Sequence, residues 1–71
     1  MERYLNLGND SGVRSYQIGN DFIIVMFSTG KTYRYSYAKA GRVHVENMKE
    51  LARSGTGLNS YINKYAKYAY D

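Results

Sequence analysis

Residues 22–37 have the sequence FIIVMFSTGKTYRYSY, and this stretch decides the fold. Six apolar residues, 22–27, precede Ser-Thr-Gly-Lys, and residues 32–37 then alternate between polar side chains and tyrosine. β-branched and aromatic residues suit a pleated, half-buried surface. Gly30 can take the positive φ that a tight turn requires, because it has no Cβ. The stretch therefore predicts a β-hairpin.

The turn also predicts how the two strands of this hairpin pair. With residues 29 and 30 at the centre of the turn, Phe27 lies opposite Thr32. One face then carries Phe22, Ile24, Met26, Tyr33, Tyr35 and Tyr37, and the other carries Ile23, Val25, Phe27, Thr32, Arg34 and Ser36. A shift of one residue would exchange these faces. Because the first strand is apolar on both faces, we expect it either to be covered on both sides or to present one face to a partner.

Upstream of the hairpin, the sequence predicts one more strand, over residues 13–18. Its apolar members are Val13, Tyr16 and Ile18. They alternate imperfectly with polar residues, which is typical of an outer strand that is partly covered. Gly-Asn-Asp occurs at residues 8–10 and again at 19–21, and turns at this spacing separate the short strands of an antiparallel meander. Residues 1–11 are expected to be either an edge strand or a loose arm.

Downstream of the hairpin, the apolar residues recur with the period of a helix. Between residues 42 and 53 they lie within an arc of about 120°, with charged and polar residues outside it. Gly55 is expected to cap the C-terminus of this helix. As an alternative, residues 42–45 also alternate like a strand, and a shorter helix would then follow; we favour the longer helix. Residues 58–70 predict a second helix, with Thr56 as its N-cap.

Length and composition limit the protein to one small domain. The 71 residues include nine tyrosines and contain no cysteine, proline or tryptophan. Without cysteine there is no disulfide and no thiolate metal site, which fits a reducing compartment. The sequence has no run near the roughly 20 apolar residues that span a bilayer, and its N-terminus does not resemble a secretory signal. The order of elements predicts an α+β fold, a three- to four-stranded antiparallel meander followed by two short helices packed on the sheet, in a soluble cytoplasmic protein without a membrane partner.

The charge is concentrated in the second half of the chain. Residues 30–71 hold eight of the ten basic side chains and three of the six acidic ones, which gives this half a net charge of +5. Lysine and arginine interleaved with tyrosine favour an anionic partner such as RNA or single-stranded nucleic acid. The candidate nucleic-acid-binding residues are Lys31, Tyr33, Arg34, Tyr35, Lys39, Lys64 and Lys67. The alternative is that the tyrosines pack under the helices, and we favour it because a chain this small needs their area.

Catalytic and metal-binding patterns are weak. His44 is the only histidine and lies in the apolar arc of the first predicted helix, which is typical of a core or rim residue. Glu46 and Glu50 lie four residues apart, a spacing better explained by surface ion pairs than by paired catalytic carboxylates. Residues 55–57 match no phosphate-binding fingerprint. We therefore expect no enzyme activity, no cofactor and no metal.

Two motifs, taken in order, resemble a known family. The first is Ile23-x-Val25-x-Phe27-Ser28-x-Gly30-x-x-Tyr33-x-Tyr35, and the second is Gly55-x-x-Leu58-Asn59-x-x-Ile62. They resemble the KTSC domain, which is named for its occurrence at the C-terminus of some lysyl-tRNA synthetases and is also a stand-alone bacterial protein. The chain departs from the family at Ala38-Lys39, where the family has Val-Pro. The resemblance implies a single domain over residues 1–71 without an established activity, and RNA binding by association.

These observations lead to two hypotheses about function. The first is a non-enzymatic module that binds RNA or single-stranded nucleic acid weakly and with little sequence preference. The second is a protein-interaction module, such as a homodimer formed through an exposed sheet face or edge, because residues 22–27 are apolar on both faces.

Overall fold

The protein folds as a four-stranded antiparallel sheet followed by two helices, as the sequence predicts. The computed structural model describes residues 1–7 and 12–71, so the turn expected at residues 8–10 lies outside the described residues. The strands are β1 (Glu2–Arg3), β2 (Val13–Ile18), β3 (Phe22–Phe27) and β4 (Thr32–Ser36), and they lie in the sheet in this order. The helices are α1 (Arg42–Ser54) and α2 (Leu58–Tyr65). Across the described ranges, neither helix is long and apolar enough to cross a membrane.

The register of the β3–β4 hairpin differs by one residue from the prediction. Ile23 lies opposite Tyr35, and Val25 opposite Tyr33. The loop has three residues instead of two, because the Phe27 N–H donates to the Lys31 carbonyl (2.9 Å) and the third loop residue, Gly30, has φ 91°. A three-residue loop that ends in a positive-φ glycine is a common hairpin turn.

Because of this register, the residues of β3 that share a face with the β4 tyrosines differ from those predicted. The face with Ile23, Val25, Phe27, Tyr33, Tyr35 and Tyr37 packs against the helices and is called the inner face below. The opposite, outer face carries Phe22, Ile24, Met26, Thr32, Arg34 and Ser36. The prediction had placed the tyrosines of β4 on the same face as Phe22, Ile24 and Met26. The sequence pattern could not separate the two because β3 is apolar on both faces.

The imperfect alternation of β2 comes from a bulge. Val13 lies opposite Phe27, but Ser15 lies opposite Met26, so the register shifts between these two residues of β2. Val13 and Tyr16 are therefore both buried although they are three residues apart. A bulge inserts one extra residue and restores the inward direction of the side chains after it.

The core lies between the inner face and the two helices. Its largest fully buried side chains are Tyr35, Ile23, Met48, Leu58, Val25 and Val45. The expectation that the tyrosines pack under the helices holds for Tyr35, which is 1% exposed. Tyr33 and Tyr37 are only partly buried at the border of this core.

The first helix agrees with the longer of the two alternatives, and the second is shorter than predicted. α1 begins at Arg42, and Gly55 caps it in the left-handed conformation with φ 81°. α2 ends at Tyr65, and its N-cap is Gly57 with φ 85°, not Thr56. Residues 66–71, called the closing segment below, turn back to β4, where the Asp71 N–H donates to the Arg34 carbonyl (2.7 Å). Tyr70 of this segment packs against Tyr33 and Tyr35 of the sheet, whereas Tyr68 is 77% exposed.

Residues 2 and 3 form an edge strand, and residue 4 is buried in the core. β1 pairs with β2 at Glu2–Tyr16 and Arg3–Ser15. Tyr4 is 3% exposed, and its hydroxyl accepts a hydrogen bond from the Leu58 N–H (3.2 Å) at the start of α2. This bond satisfies one of the N–H groups that a helix N-terminus leaves without a partner.

Candidate nucleic-acid interface

An open pocket of about 360 Å³ lies between the β3–β4 turn, α2 and the closing segment. Its walls are mostly aromatic and come from Phe27, Tyr33, Tyr68 and Tyr70, with Tyr35 beneath them. Its polar lining includes Lys31, Asn63 and Lys67. We call it the aromatic pocket. A concave, mainly apolar site with a few polar groups at its rim is typical of ligand-binding sites.

The aromatic rings of the pocket meet at steep angles. The rings of Tyr33 and Tyr70 lie 4.6 Å apart at 46°, and those of Phe27 and Tyr33 lie 5.7 Å apart at 70°. Tyr70 also meets Tyr35 edge to face, with 6.5 Å between the centroids. Edge-to-face and tilted pairs are favourable aromatic arrangements. The rings therefore hold one another in position without a ligand.

Two lysines lie at the rim of the pocket on different elements. Lys31 follows the β3–β4 turn and Lys67 belongs to the closing segment, and both are exposed. The Lys67 Nζ lies 5.6 Å from the ring centroid of Tyr68, which is itself 77% exposed. An exposed aromatic ring beside a cation is an arrangement that can hold a base and its phosphate together.

The structure brings together four of the seven residues that the sequence singled out. Lys31, Tyr33, Tyr35 and Lys67 line the aromatic pocket. Tyr35 is too buried to offer a stacking surface. The remaining three, Arg34, Lys39 and Lys64, lie elsewhere.

Each of these three residues has a different environment. Arg34 is on the outer face, with its guanidinium 4.6 Å from the ring centroid of Phe22 and its Nε 3.7 Å from Asp71. Lys39 is exposed in the turn before α1. Lys64 lies on α2 with its Nζ 5.7 Å from the ring of Tyr65. Arg34 therefore cannot act together with the tyrosines of β4, because neighbouring residues of a strand point to opposite faces.

Sequence reasoning missed Phe27, Tyr68 and Tyr70 as members of this site. It placed both C-terminal tyrosines on a continuing helix, with Tyr70 among the polar residues. The sequence YAKYAY at residues 65–70 contained a signal, since three tyrosines in six residues are too many for a solvated helix end.

The environment beneath the pocket shifts one acid–base equilibrium strongly. Burial raises the pKa of the Tyr35 hydroxyl to about 12, and the neighbouring Tyr33 and Tyr70 contribute in the same direction. Desolvation disfavours the charged phenolate. Tyr35 is thus neutral at physiological pH and serves as an apolar floor.

Two polar clusters lie outside the pocket, and both join elements of the fold. Glu46 accepts hydrogen bonds from Lys49 Nζ (2.8 Å) and the Tyr37 hydroxyl (2.6 Å), which lower the pKa of its carboxyl. On the helices, His44 Nδ1 lies 2.7 Å from the Tyr61 hydroxyl. The sequence predicted a surface ion pair for Glu46 and placed His44 in the core or at its rim. Within the described ranges, no group of three or more acidic or histidine side chains could hold a metal ion.

Comparison with protein-family models, curated proteins and solved structures finds no match for this chain.

Proposed function

We propose that the protein is a non-enzymatic cytoplasmic module that binds RNA or single-stranded nucleic acid through the aromatic pocket. The observation that carries the proposal is the position of Lys31 and Lys67 at the rim of a pocket walled by Tyr33, Tyr68 and Tyr70. Bases stack on aromatic rings whatever their sequence, and lysines beside them bind the phosphates. The resemblance to the KTSC domain supports the same proposal by association.

The protein's charge distribution agrees with this proposal. The protein has a net charge of +4, and its second half carries the excess of basic residues. A positive field attracts a polyanion before the specific contacts form. Lys64 is exposed on α2, three residues before Lys67, and adds to this positive field.

Fluorescence anisotropy of a labelled RNA of about ten nucleotides tests the proposal. We expect saturable binding that weakens between about 50 and 200 mM salt. Tyr68→Ala should weaken binding by about 5- to 160-fold, the equivalent of about 1–3 kcal/mol for one stacked base. Its matched control is Tyr65→Ala, because Tyr65 is 54% exposed on α2 and does not belong to the pocket lining. Absence of binding at the lower salt concentration would remove the proposal.

Lysine variants provide a second, independent comparison. Lys31→Ala should reduce the affinity for RNA more than Lys39→Ala, although both remove one exposed positive charge. Equal effects would indicate a general attraction to the positive protein, and the pocket would then lose its support as the binding site.

A second candidate is self-association through the outer face. Phe22, Ile24 and Met26 lie in a row on this face of β3, each partly exposed, while the helices occupy the inner face. A second copy of the chain could cover this row in a two-fold symmetric dimer. Sedimentation over a range of concentrations tests this candidate, and a strict monomer would count heavily against it.

A further inference from the structure

We propose that the aromatic pocket takes one nucleotide, a single unstacked base with its phosphate, and does not follow a strand along its surface. This inference rests on the proposed function and names the unit that the pocket recognises. The shared chemistry is a planar aromatic base with an attached phosphate, whether the nucleotide belongs to a strand or is free.

The orientation of the rings is the first argument. Proteins that bind several successive bases present a series of exposed rings on which a strand can stack. Here Tyr33 meets Tyr70 at 46° and Phe27 at 70°. When a base stacks on one of these rings, the neighbouring ring lies at a steep angle to it and cannot stack a second base in parallel. The pocket therefore receives one base and blocks the next from joining its stack.

The size of the pocket is the second argument. Its volume of about 360 Å³ is near the lower end of the roughly 300–1,000 Å³ of small-molecule sites. This volume suits one planar base and part of its sugar. The hydroxyls of Ser28 and Thr29 and the amide of Asn63 also line the pocket and offer hydrogen bonds to the edge of a base.

The arrangement of the cations is the third argument. Only two of the seven predicted site residues are both cationic and part of the lining, namely Lys31 and Lys67. Arg34 lies on the outer face beside Asp71, and Lys39 is in the turn before α1. A groove that tracks a backbone places its cations along one path. The lining contains two lysines, which are enough for the phosphate of one nucleotide and too few to follow a longer backbone.

The salt dependence of RNA binding distinguishes the two modes. For single strands the slope of log K against log salt is about −0.7 for each phosphate bound, so the single phosphate of one nucleotide gives about −0.7 and a loss of about threefold between 50 and 200 mM salt. If all five predicted cationic residues contacted phosphates, the slope would be about −3.5 and the loss would exceed about a hundredfold. We expect the shallower slope.

Competition with small molecules provides the direct test. AMP and UMP are titrated against the bound labelled RNA, with ribose 5-phosphate as the control that lacks a base. We expect AMP to displace the RNA with an inhibition constant within about tenfold of the RNA dissociation constant, and ribose 5-phosphate to bind at least about tenfold more weakly, because it cannot stack. Tyr68→Ala should weaken AMP and RNA by similar factors, and Tyr65→Ala should change neither.

Each outcome has a defined meaning. RNA binding with a slope near the steeper value, or without displacement by AMP, overturns the single-nucleotide inference and leaves the proposed function standing. Equal displacement by AMP and ribose 5-phosphate also overturns it, since the base would then make no contribution. Binding of AMP without binding of RNA supports the single-nucleotide pocket and removes the strand as its source. No binding of either ligand removes both proposals.

Discussion

Tyr35 belongs both to the core and to the floor of the aromatic pocket, and its hydroxyl is buried. Its raised pKa, about 12, means that the folded protein favours the neutral form. The resulting stabilisation is fully present below the unfolded pKa of about 10 and is lost as the pH rises towards 12. We expect the free energy of unfolding to fall by roughly 2–3 kcal/mol over this range on account of Tyr35.

Denaturant unfolding between pH 9 and pH 12 measures this loss, with Tyr35→Phe as the control. Burial also raises the pKa of Tyr16, and a hydrogen bond to Glu46 raises that of Tyr37. Both effects remain in the variant, so only the difference between the two proteins reports on Tyr35. The same alkaline loss in Tyr35→Phe would show that its burial is not the cause.

Lys49 is a buried charge that the pattern of α1 did not predict. Its periodicity places it outside the apolar arc, yet it is only 5% exposed. The ammonium donates to the Asn20 carbonyl (3.0 Å) and to Glu46, and it lies 5.5 Å from the ring centroid of Tyr37. It thus joins α1 to the turn between β2 and β3. Helical periodicity predicts which residues make apolar contacts, but it does not predict a hydrogen bond to a carbonyl that is distant in the sequence.

Lys49→Met should therefore destabilise the protein. Methionine keeps most of the aliphatic volume, but the variant removes the donor to the Asn20 carbonyl and one of the two donors to the Glu46 carboxylate, at a cost of about 1–3 kcal/mol. Lys39→Met is the control, because Lys39 is exposed in the turn before α1. The free energies of unfolding from denaturant titration compare the two. An equal or smaller effect at Lys49 would mean that its bonds contribute nothing to stability.

At the scale of elements, Gly55 connects the end of α1 to the segment before β2. It has φ 81°, and a Cβ built on it would lie 2.7 Å from the Leu5 Cβ. Its carbonyl also accepts the Leu7 N–H at 2.7 Å. Gly30 has a similar φ of 91°, but a Cβ there would meet nothing within 4 Å. Both positions therefore require a positive φ, but only Gly55 also lacks space for a Cβ.

Both Gly55→Ala and Gly30→Ala should destabilise the protein, by different amounts. Each variant forces a non-glycine residue into a left-handed conformation, at a cost of about 1–2 kcal/mol. Gly55→Ala also overpacks against Leu5, which adds about 1–3 kcal/mol. Thermal or denaturant unfolding of the two variants provides the comparison. Equal losses would show that residues 1–7 move aside without cost.

The closing segment forms one wall of the aromatic pocket and is held by Asp71. The Ser36 hydroxyl donates to the Asp71 carboxylate at 2.7 Å, and Arg34 Nε lies 3.7 Å from it. These contacts cover part of the free edge of β4, a position where proteins limit edge-to-edge pairing. They also position Tyr70 and Tyr68 beside Tyr33.

Asp71→Ala should lower the affinity for AMP and RNA by about fivefold, the equivalent of one hydrogen bond of about 1 kcal/mol. The matched control is Asp21→Ala, which removes an exposed carboxylate from the β2–β3 turn and changes the net charge equally. Anisotropy measures both. A gain of affinity in both variants would indicate that charge, not the position of the closing segment, controls binding.

The sequence predicted the strands and helices that depend on local periodicity and turn residues. It did not predict the register in which the strands pair or which distant residues come into contact. The bounds of β2 and β3, the start of α1 and the cap at Gly55 all follow from periodicity and turn chemistry. The register of the hairpin depended on whether its loop has two residues or three, and Gly30 fits both. Residues 66–69 continue the helical periodicity, but α2 ends at Tyr65 and Tyr70 packs on Tyr33 and Tyr35 of β4, a long-range contact that periodicity does not reveal. The pocket depends on that packing, so its members could be only partly foreseen.

At the scale of the whole molecule, the two proposed surfaces lie on opposite sides of one sheet. The aromatic pocket belongs to the inner side, and Phe22, Ile24 and Met26 belong to the outer face. Tyr35 and Ile23 fill the layer between the sheet and the helices. A substitution on one side therefore has no direct contact with a ligand on the other, and distant sites of this kind have additive effects.

Ile24→Thr and Tyr68→Ala should accordingly have separate effects. Ile24→Thr keeps a β-branched residue in β3, so it should reduce any self-association while the affinity for AMP stays within about twofold. Tyr68→Ala should weaken AMP and leave the sedimentation coefficient unchanged. Sedimentation and anisotropy on the same samples give both quantities for each variant. If Ile24→Thr weakened AMP as strongly as Tyr68→Ala does, the pocket would depend on the outer face, and a dimer would have to be part of the binding site.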